Sequence, residues 1–179
     1  MKLKIKVKRI NKNLELPKII AKGDWVDLRA SETVVLKAPQ TGAREKREVN
    51  GVLEIYSDVI FDTKLFGLGI AMQLPKGFEA VVLPRSSTFK NLGVILANSE
   101  GVIDQPYCGD KDEWKFNAIA FRDTVINEGD RVCQFRIQLS QKATFWQKLK
   151  WLFSSGIEIV EVKSLGNTDR DGFGTTGIN

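Results

Sequence analysis

The sequence predicts an all-β chain, a barrel or sandwich with one short helix, and three observations lead there. Short apolar runs recur along the chain, turn signals separate them, and only one segment has the four-residue spacing of an amphipathic helix. In the first run, Leu3–Ile10, the apolar residues Leu3, Ile5 and Val7 alternate with lysines. That is the period of a strand with one buried and one wet face, and a row of lysines suits an exposed sheet edge, where it discourages edge-to-edge pairing. The runs Thr33–Lys37, Val52–Ile60, Gly67–Gln73, Ala80–Leu83, Val94–Ala97, Trp114–Phe121, Arg131–Leu139 and Ile157–Val162 read as further strands. Pro75-Lys76-Gly77, Asn91-Leu92-Gly93 and Asn127-Glu128-Gly129 are turns between them. Helical spacing enters at Thr144–Phe153, where Phe145, Leu149 and Phe153 stand four apart. Thr144 and Gln147 have the spacing of a capping box, and Gly156 stops the helix. Its aromatic face is expected to pack on the protein's own surface, with a membrane or partner contact as the lesser reading.

At 179 residues the chain is long enough for one self-sufficient core, and no repeat, low-complexity stretch or linker divides it. It contains no histidine, which excludes a Ser-His-Asp or Cys-His relay and His-ligated zinc or haem. Acid-base chemistry therefore falls to carboxylates, Lys, Tyr or bound water. Two cysteines, Cys108 and Cys133, are too few for a disulfide framework and read as reduced thiols of a cytoplasmic protein. The net charge of +5 arises in the first twelve residues, where Lys2, Lys4, Lys6, Lys8, Arg9 and Lys12 have no acidic partner. The rest of the chain is nearly neutral, so neither a nucleic acid nor a membrane is expected as a partner. The longest nearly uncharged run, Leu65 to Leu74, is too short and too rich in glycine to cross a bilayer.

Four clusters can carry chemistry. In the tail, Gly172, Gly174 and Gly177 satisfy G-x-G-x-x-G, but a dinucleotide site needs a helix after that motif and only two residues follow. What remains is a flexible arm over 166–179 following a single β domain over 1–165. Arg170, Phe173, Gly174, Thr175 and Thr176 give the arm backbone amides, hydroxyls, a guanidinium and a ring suited to phosphates and a base. Pro84-Arg85-Ser86-Ser87 follows an apolar run and can grip phosphate oxygens or form a turn. The stretch from Asn98 to Asp110 places Asp104 at the end of an apolar run beside Pro106-Tyr107. It can offer a water-activating base and a flat wall for a sugar, or be an ordinary hairpin. In Gly129-Asp130-Arg131-Val132-Cys133-Gln134, a turn opening a strand, Arg131 can equally pair with Asp130 on the surface.

Taken together, the order and spacing of these clusters resemble the five motifs of the trimeric all-β dUTP pyrophosphatases (dUTPases), over about Asp27 to Gly177. Asp24 to Ala30 is similar to motif one, with Trp25-Val26 in place of the usual Gly-Tyr. Pro84–Ser87 with Leu92-Gly93-Val94 resembles motif two, and Gly101-Val102-Ile103-Asp104 with Tyr107 and Gly109 resembles motif three. Gly129-Asp130-Arg131 with Gln134 corresponds to motif four and Arg170 to Gly177 to motif five. Asp110 to Trp114 lengthens the loop after motif three, as in similar enzymes of low-GC bacteria and their phages, and the helix lengthens the stretch before motif five.

The resemblance implies a distorted jelly-roll or β-clip barrel that hydrolyses dUTP to dUMP and pyrophosphate, keeping uracil out of DNA and supplying dUMP for thymidylate synthesis. It implies Asp104 as the base for the water attacking the α-phosphorus and Tyr107 as the wall that excludes a 2′-hydroxyl. Asn98 and the backbone of Gly101, Val102 and Ile103 would read uracil. Arg85, Ser86, Ser87 and Gln134 would hold the phosphates, with Arg170, Phe173, Gly174, Thr175 and Thr176 closing over them. Mg2+ would be carried mainly by the substrate's phosphates, with Asp27 supporting the site indirectly. The resemblance also implies a homotrimer whose sites are shared between subunits. Two other readings stand beside it. One is a dCTP deaminase or bifunctional deaminase-diphosphatase of the same fold, with Glu113 near the position of its catalytic glutamate. The other is a regulatory protein that binds a partner, with hydrolysis secondary.

Overall fold

The computed structural model describes residues 1–19 and 23–170. Among them the chain is built almost wholly of strands, in five sheets, four of which wall one core without closing into a single continuous barrel. Strand β1 (Leu3–Arg9) buries Leu3, Ile5 and Val7 and exposes Lys4 and Lys6, as the alternation requires. It is not an edge, however. β14 (Ile157–Glu161) pairs with it in parallel on one side and β7 (Ile70–Gln73) antiparallel on the other, so the lysines mark a solvent face of a central strand.

The sheet that carries or adjoins most of the candidate site residues runs β10 (Gly101–Ile103), β8 (Phe78–Pro84), β13 (Arg131–Leu139), β2 (Val26–Arg29). A third sheet consists of β6 (Thr63–Gly67), β11 (Lys115–Ala120) and β9 (Val94–Leu96), and β3 (Val34–Leu36) pairs with β12 (Thr124–Ile126). Between the sheets lie Phe66, Phe78, Phe116, Phe135 and the fully buried Trp114, whose ring meets Phe135 edge-on at 5.2 Å. Burying each such ring contributes roughly 1.5–3 kcal/mol, which makes this aromatic layer the main cohesive element of the core.

The expected run Gly67–Gln73 is two strands, because Gly69 takes a positive φ of 70° and turns the chain between β6 and β7. The most extended departure is a hairpin of β4 (Gln40–Val49) and β5 (Val52–Ile60), nearly all of it exposed. The charged sequence of β4 has no strand periodicity. Its pairing is set by Asn50-Gly51, both at positive φ (54° and 77°), the left-handed conformations a two-residue hairpin turn demands.

A short helix α1 (Thr88–Leu92) follows β8, and α2 (Phe145–Leu152) occupies the expected helical segment with its Thr144–Gln147 capping box formed. The orientation of α2 is the reverse of the expectation. Gln147 lies against Gly77 and Trp151 against Phe78 (ring centroids 5.3 Å apart). Phe145, Trp146, Leu152 and Phe153 point away from the body, 66–76% exposed. At 100° per residue Gln147 and Trp151 share one side of the helix and these four share the opposite one, so a single rotation decides which side is covered.

Candidate active site

The strand register brings distant motifs together at one end of the central sheet. Gln134 on β13 lies opposite Asp27 of β2 on one side and Leu83 of β8 on the other, and Arg85 follows two residues after Leu83. Directly paired positions and positions two apart share a face, so Asp27, Gln134 and Arg85 converge. Asp27 is the centre of the cluster. Its Oδ1 accepts from Arg85 Nε at 2.7 Å and its Oδ2 from Arg131 Nη1 at 3.0 Å. Arg131 thus pairs with Asp27 and not with Asp130, whose Oδ2 instead caps the turn by accepting from Asn127 N at 2.8 Å. The turn after β8 is fixed by Thr88, a buried residue that sequence reasoning missed. Its hydroxyl accepts from Arg85 N (3.0 Å) and donates to Val132 O (2.8 Å). Arg85, Ser87, Thr88, Asn91, Asp130 and Arg131 line a cleft of about 300 Å³ with two guanidiniums on its wall, while Ser86 is exposed beside it. Its chemistry suits phosphate oxygens.

Asp104 lies at the other end of the sheet. β10 pairs with β8 with Ile103 opposite Ala80, five residues before Arg85. At about 3.3 Å per residue the two clusters are roughly 16 Å or more apart along β8. Asp104, Gln105, Pro106, Val102, Glu79 and Arg170 are among the residues lining a cleft of about 720 Å³. Val102 also lines a neighbouring cleft of about 220 Å³ with Asn98, Gly101, Ile103, Lys115 and Asn117. The structure therefore joins Asn98, Gly101, Val102, Ile103 and Asp104 into one region, while the Arg85 cleft shares no lining residue with it. Asn98 Nδ2 donates to Glu100 O at 3.1 Å across the tip between β9 and β10, where Ser99 takes a positive φ of 60°.

Tyr107 is fixed at both ends. Its N–H donates to Asp104 O at 3.0 Å, and its hydroxyl donates to Glu113 O at 2.9 Å. Glu113, the residue noted for a deaminase, directs its carboxylate elsewhere. Oε1 accepts from Gly69 N at 2.8 Å, and the side chain packs so closely over Gly67 that a Cβ there would collide with it. Arg170 Nη1 donates to Asp104 Oδ2 at 3.0 Å, with both side chains about half exposed. Phe173, Gly174, Thr175 and Thr176 lie outside the described residues. Among the described residues no three acidic or cysteine side chains converge as a metal cage. Burial raises the Cys108 thiol above its ordinary range, with the Asp112 charge adding to it, and burial pushes Cys133 further up. Both thiols are therefore held in the protonated form.

A family model described as dUTPase matches residues 54–150, just over half of the chain. This chain belongs to the dUTPase family. A curated relative, the SPbeta prophage-derived deoxyuridine 5′-triphosphate nucleotidohydrolase of Bacillus subtilis, is 42% identical over 98% of this chain and 99% of its own length. The Helicobacter pylori deoxyuridine 5′-triphosphate nucleotidohydrolase (strain J99) is 29% identical over 99% of both chains. Among solved structures, the Streptococcus mutans dUTPase superposes with a TM-score of 0.58 at 20% identity, over 77% of this chain and 98% of that one. A variant dUTPase of Staphylococcus aureus phage phi11, described with a structural Mg(II) ion, gives 0.56 at 16% identity, over 79% and 94%. For this dUTPase the two structural likenesses establish the fold. Arg131 was legible only as part of Gly129-Asp130-Arg131, since its partner Asp27 is 104 positions away.

Proposed function

We propose that this chain is a dUTP diphosphatase, converting dUTP and water to dUMP and pyrophosphate, and that its Asp104 is the base. The observation that carries the reading is the shared wall between the Asn98–Ile103 cleft and the Asp104 cleft. A base seated in the first would place its 5′-phosphates at the second. Asp104 takes a proton from water, the water oxygen bonds the α-phosphorus, and the bond from that phosphorus to the bridging oxygen breaks, releasing pyrophosphate. No side-chain nucleophile is needed, which fits a chain without histidine. Asn98 and the amides of Gly101–Ile103 read the uracil edge, and Tyr107, tethered through its N–H and its hydroxyl, is assigned the wall against a 2′-hydroxyl. Arg85, Ser86, Ser87 and Gln134 hold phosphate oxygens, and Arg131 joins them. Asp27 keeps the two guanidiniums at fixed positions, with both its oxygens engaged. Mg2+, bound chiefly by the substrate's own phosphates and water as this small hard cation prefers, supplies charge neutralisation and alignment.

The separation along β8 supports sites shared between copies, as in the homotrimer that the family resemblance implies. A base roughly 16 Å from the arginine cleft cannot serve the same triphosphate in one chain, so Asp104 of one copy would face Arg85 of another. The chain acts in the cytoplasm on this reading, where it limits uracil in DNA and supplies dUMP; among the described residues no helix is long and apolar enough to cross a membrane. The test is pyrophosphate release from dUTP, dCTP, UTP and dTTP with and without Mg2+. Release from dUTP alone, lost with EDTA, is expected. Ammonia release from dCTP would instead favour the deaminase reading, against which the sequestered Glu113 carboxylate stands.

A further inference from the structure

The aromatic side of α2 takes no part in the chemistry above. The helix is held from behind: Gln147 lies against Gly77, Trp151 packs on Phe78, and the Thr144–Gln147 capping box fixes the first turn. Its outer side is thus displayed on a fixed support. At about 100° per residue, Phe145, Trp146, Leu149, Leu152 and Phe153 fall within an arc of about 120° centred opposite Gln147 and Trp151. Lys148 and Lys150 stand about 40° beyond its two edges, so a lysine flanks the apolar arc on either side.

The charge around this arc is positive. From Ser140 to Gly156 the chain carries Lys142, Lys148 and Lys150 and no acidic residue, and none of these lysines has an ion-pair partner among the described residues. Just past the helix, Ser155 N donates to Met1 O at 3.1 Å, which brings the exposed Met1 and Lys2 close to Phe153. Further along β1 the basic side chains are engaged. Lys8 pairs with Asp110 (3.6 Å), whose carboxylate also accepts from Ser164 Oγ (2.6 Å) and Leu165 N (2.7 Å). Arg9 and Lys12 pair with Glu161 at 2.8 and 3.5 Å. Lys2, Lys4 and Lys6 form no ion pair among the described residues, although Glu158 lies opposite Lys4 in register.

We infer that the outer side of α2 docks on an anionic lipid surface. The helix lies in the plane of the bilayer interface, with its rings at headgroup depth and its flanking lysines reaching lipid phosphates. Two observations favour lipid over a protein partner. Phe145, Trp146, Leu152 and Phe153 together expose on the order of 500 Å², large for a monomer's surface patch yet short of the roughly 800 Å² that each partner of a stable protein interface contributes. A second copy set face to face on this helix would also bring unpaired lysines together, whereas an anionic leaflet neutralises them. Charge summed over the whole chain gave no reason to expect a membrane partner, because that sum does not show which lysines border an apolar face. The inference is independent of the proposed dUTP hydrolysis.

The experiment is flotation of the full chain with vesicles of phosphatidylcholine, alone or with about one-third phosphatidylglycerol. The wild type should bind the anionic vesicles at least about tenfold more tightly than the neutral ones, and added salt should weaken that binding. Lys148→Gln and Lys150→Gln should each cost about fivefold. Trp146→Ser combined with Phe153→Ser should cost more than about thirtyfold. A wild type that binds neither vesicle, or both equally, would overturn the proposal. So would a double serine variant that binds like the wild type, because the basic strand would then suffice. If the wild type ignores vesicles and the serine variant sediments as a smaller assembly, the face joins copies of this chain and the lipid proposal fails. Trp146→Phe keeps the apolar surface and guards against a folding defect. It should bind anionic vesicles as the wild type does, yet lose the larger part of the fluorescence quenching by brominated acyl chains. Quenching unchanged by that substitution would place Trp146 outside the bilayer and equally overturn the inference.

Discussion

The two ends of β8 are built on different principles. At the Arg85 end, three strands in fixed register carry Asp27, Gln134 and Arg85, and one carboxylate braces two guanidiniums. At the Asp104 end, Asp104 follows a three-residue strand, and its ion pair with Arg170 is half exposed. An exposed pair contributes only about 0–1 kcal/mol, so bound phosphates can displace it with little penalty. The Asp27 cluster is 19% exposed at its carboxylate and resists rearrangement far more. Rigid grip at one end and an exchangeable contact at the other suit the proposed roles, in which the arginine cluster holds phosphates and Asp104 is freed to act on water.

Four measurements test this contrast. The largest effect is expected from Asp104→Asn, which should lower kcat by about a thousandfold, within the range for a general base, while a nonhydrolysable dUTP analogue still binds. Comparable loss of binding would mean that Asp104 is not the base. Next, chains carrying Asp104→Asn and chains carrying Arg85→Ala, each inactive alone, should regain roughly a quarter of wild-type sites when refolded together, by random assortment in a symmetric oligomer. No recovery would place both halves in one chain and contradict the distance along β8.

Asp27→Ala should raise KM for dUTP about tenfold and cost about 1–2 kcal/mol in denaturant unfolding, since two guanidiniums lose their common partner. A change in kcat alone would show that Asp27 acts on the chemistry and not on the grip. The smallest effect concerns pH. The folded Asp110 carboxyl titrates below its unfolded value, so its contribution is present above about pH 4 and is lost as pH falls through the lower folded value. Exchange protection of the Leu165 amide should therefore persist to about pH 4 and disappear below it. Loss between pH 7 and 5 would mean that another group holds the segment.

Much of this protein was legible in the residues. Alternation identified the buried face of β1, the Thr144–Gln147 spacing identified α2 with its cap, and the absence of histidine left acid-base chemistry to carboxylates, Lys, Tyr or bound water. The motif series nominated Asp104, Tyr107, Arg85 and Gln134 because each is a particular residue type beside a local turn or strand end. What periodicity could not supply was the partner of each element. It describes a face and not what covers it, so β1 is central where its lysines suggested an edge, and α2 turns its aromatic side outward. Arg131 on Asp27, Thr88 on Val132, Glu113 on Gly69 and Asp112 on Arg170 are contacts between residues 44 to 104 positions apart. Local sequence fixes conformation through neighbours a few residues away, whereas these pairings depend on strand register across the sheet and on loop against loop, and only the folded chain decided them.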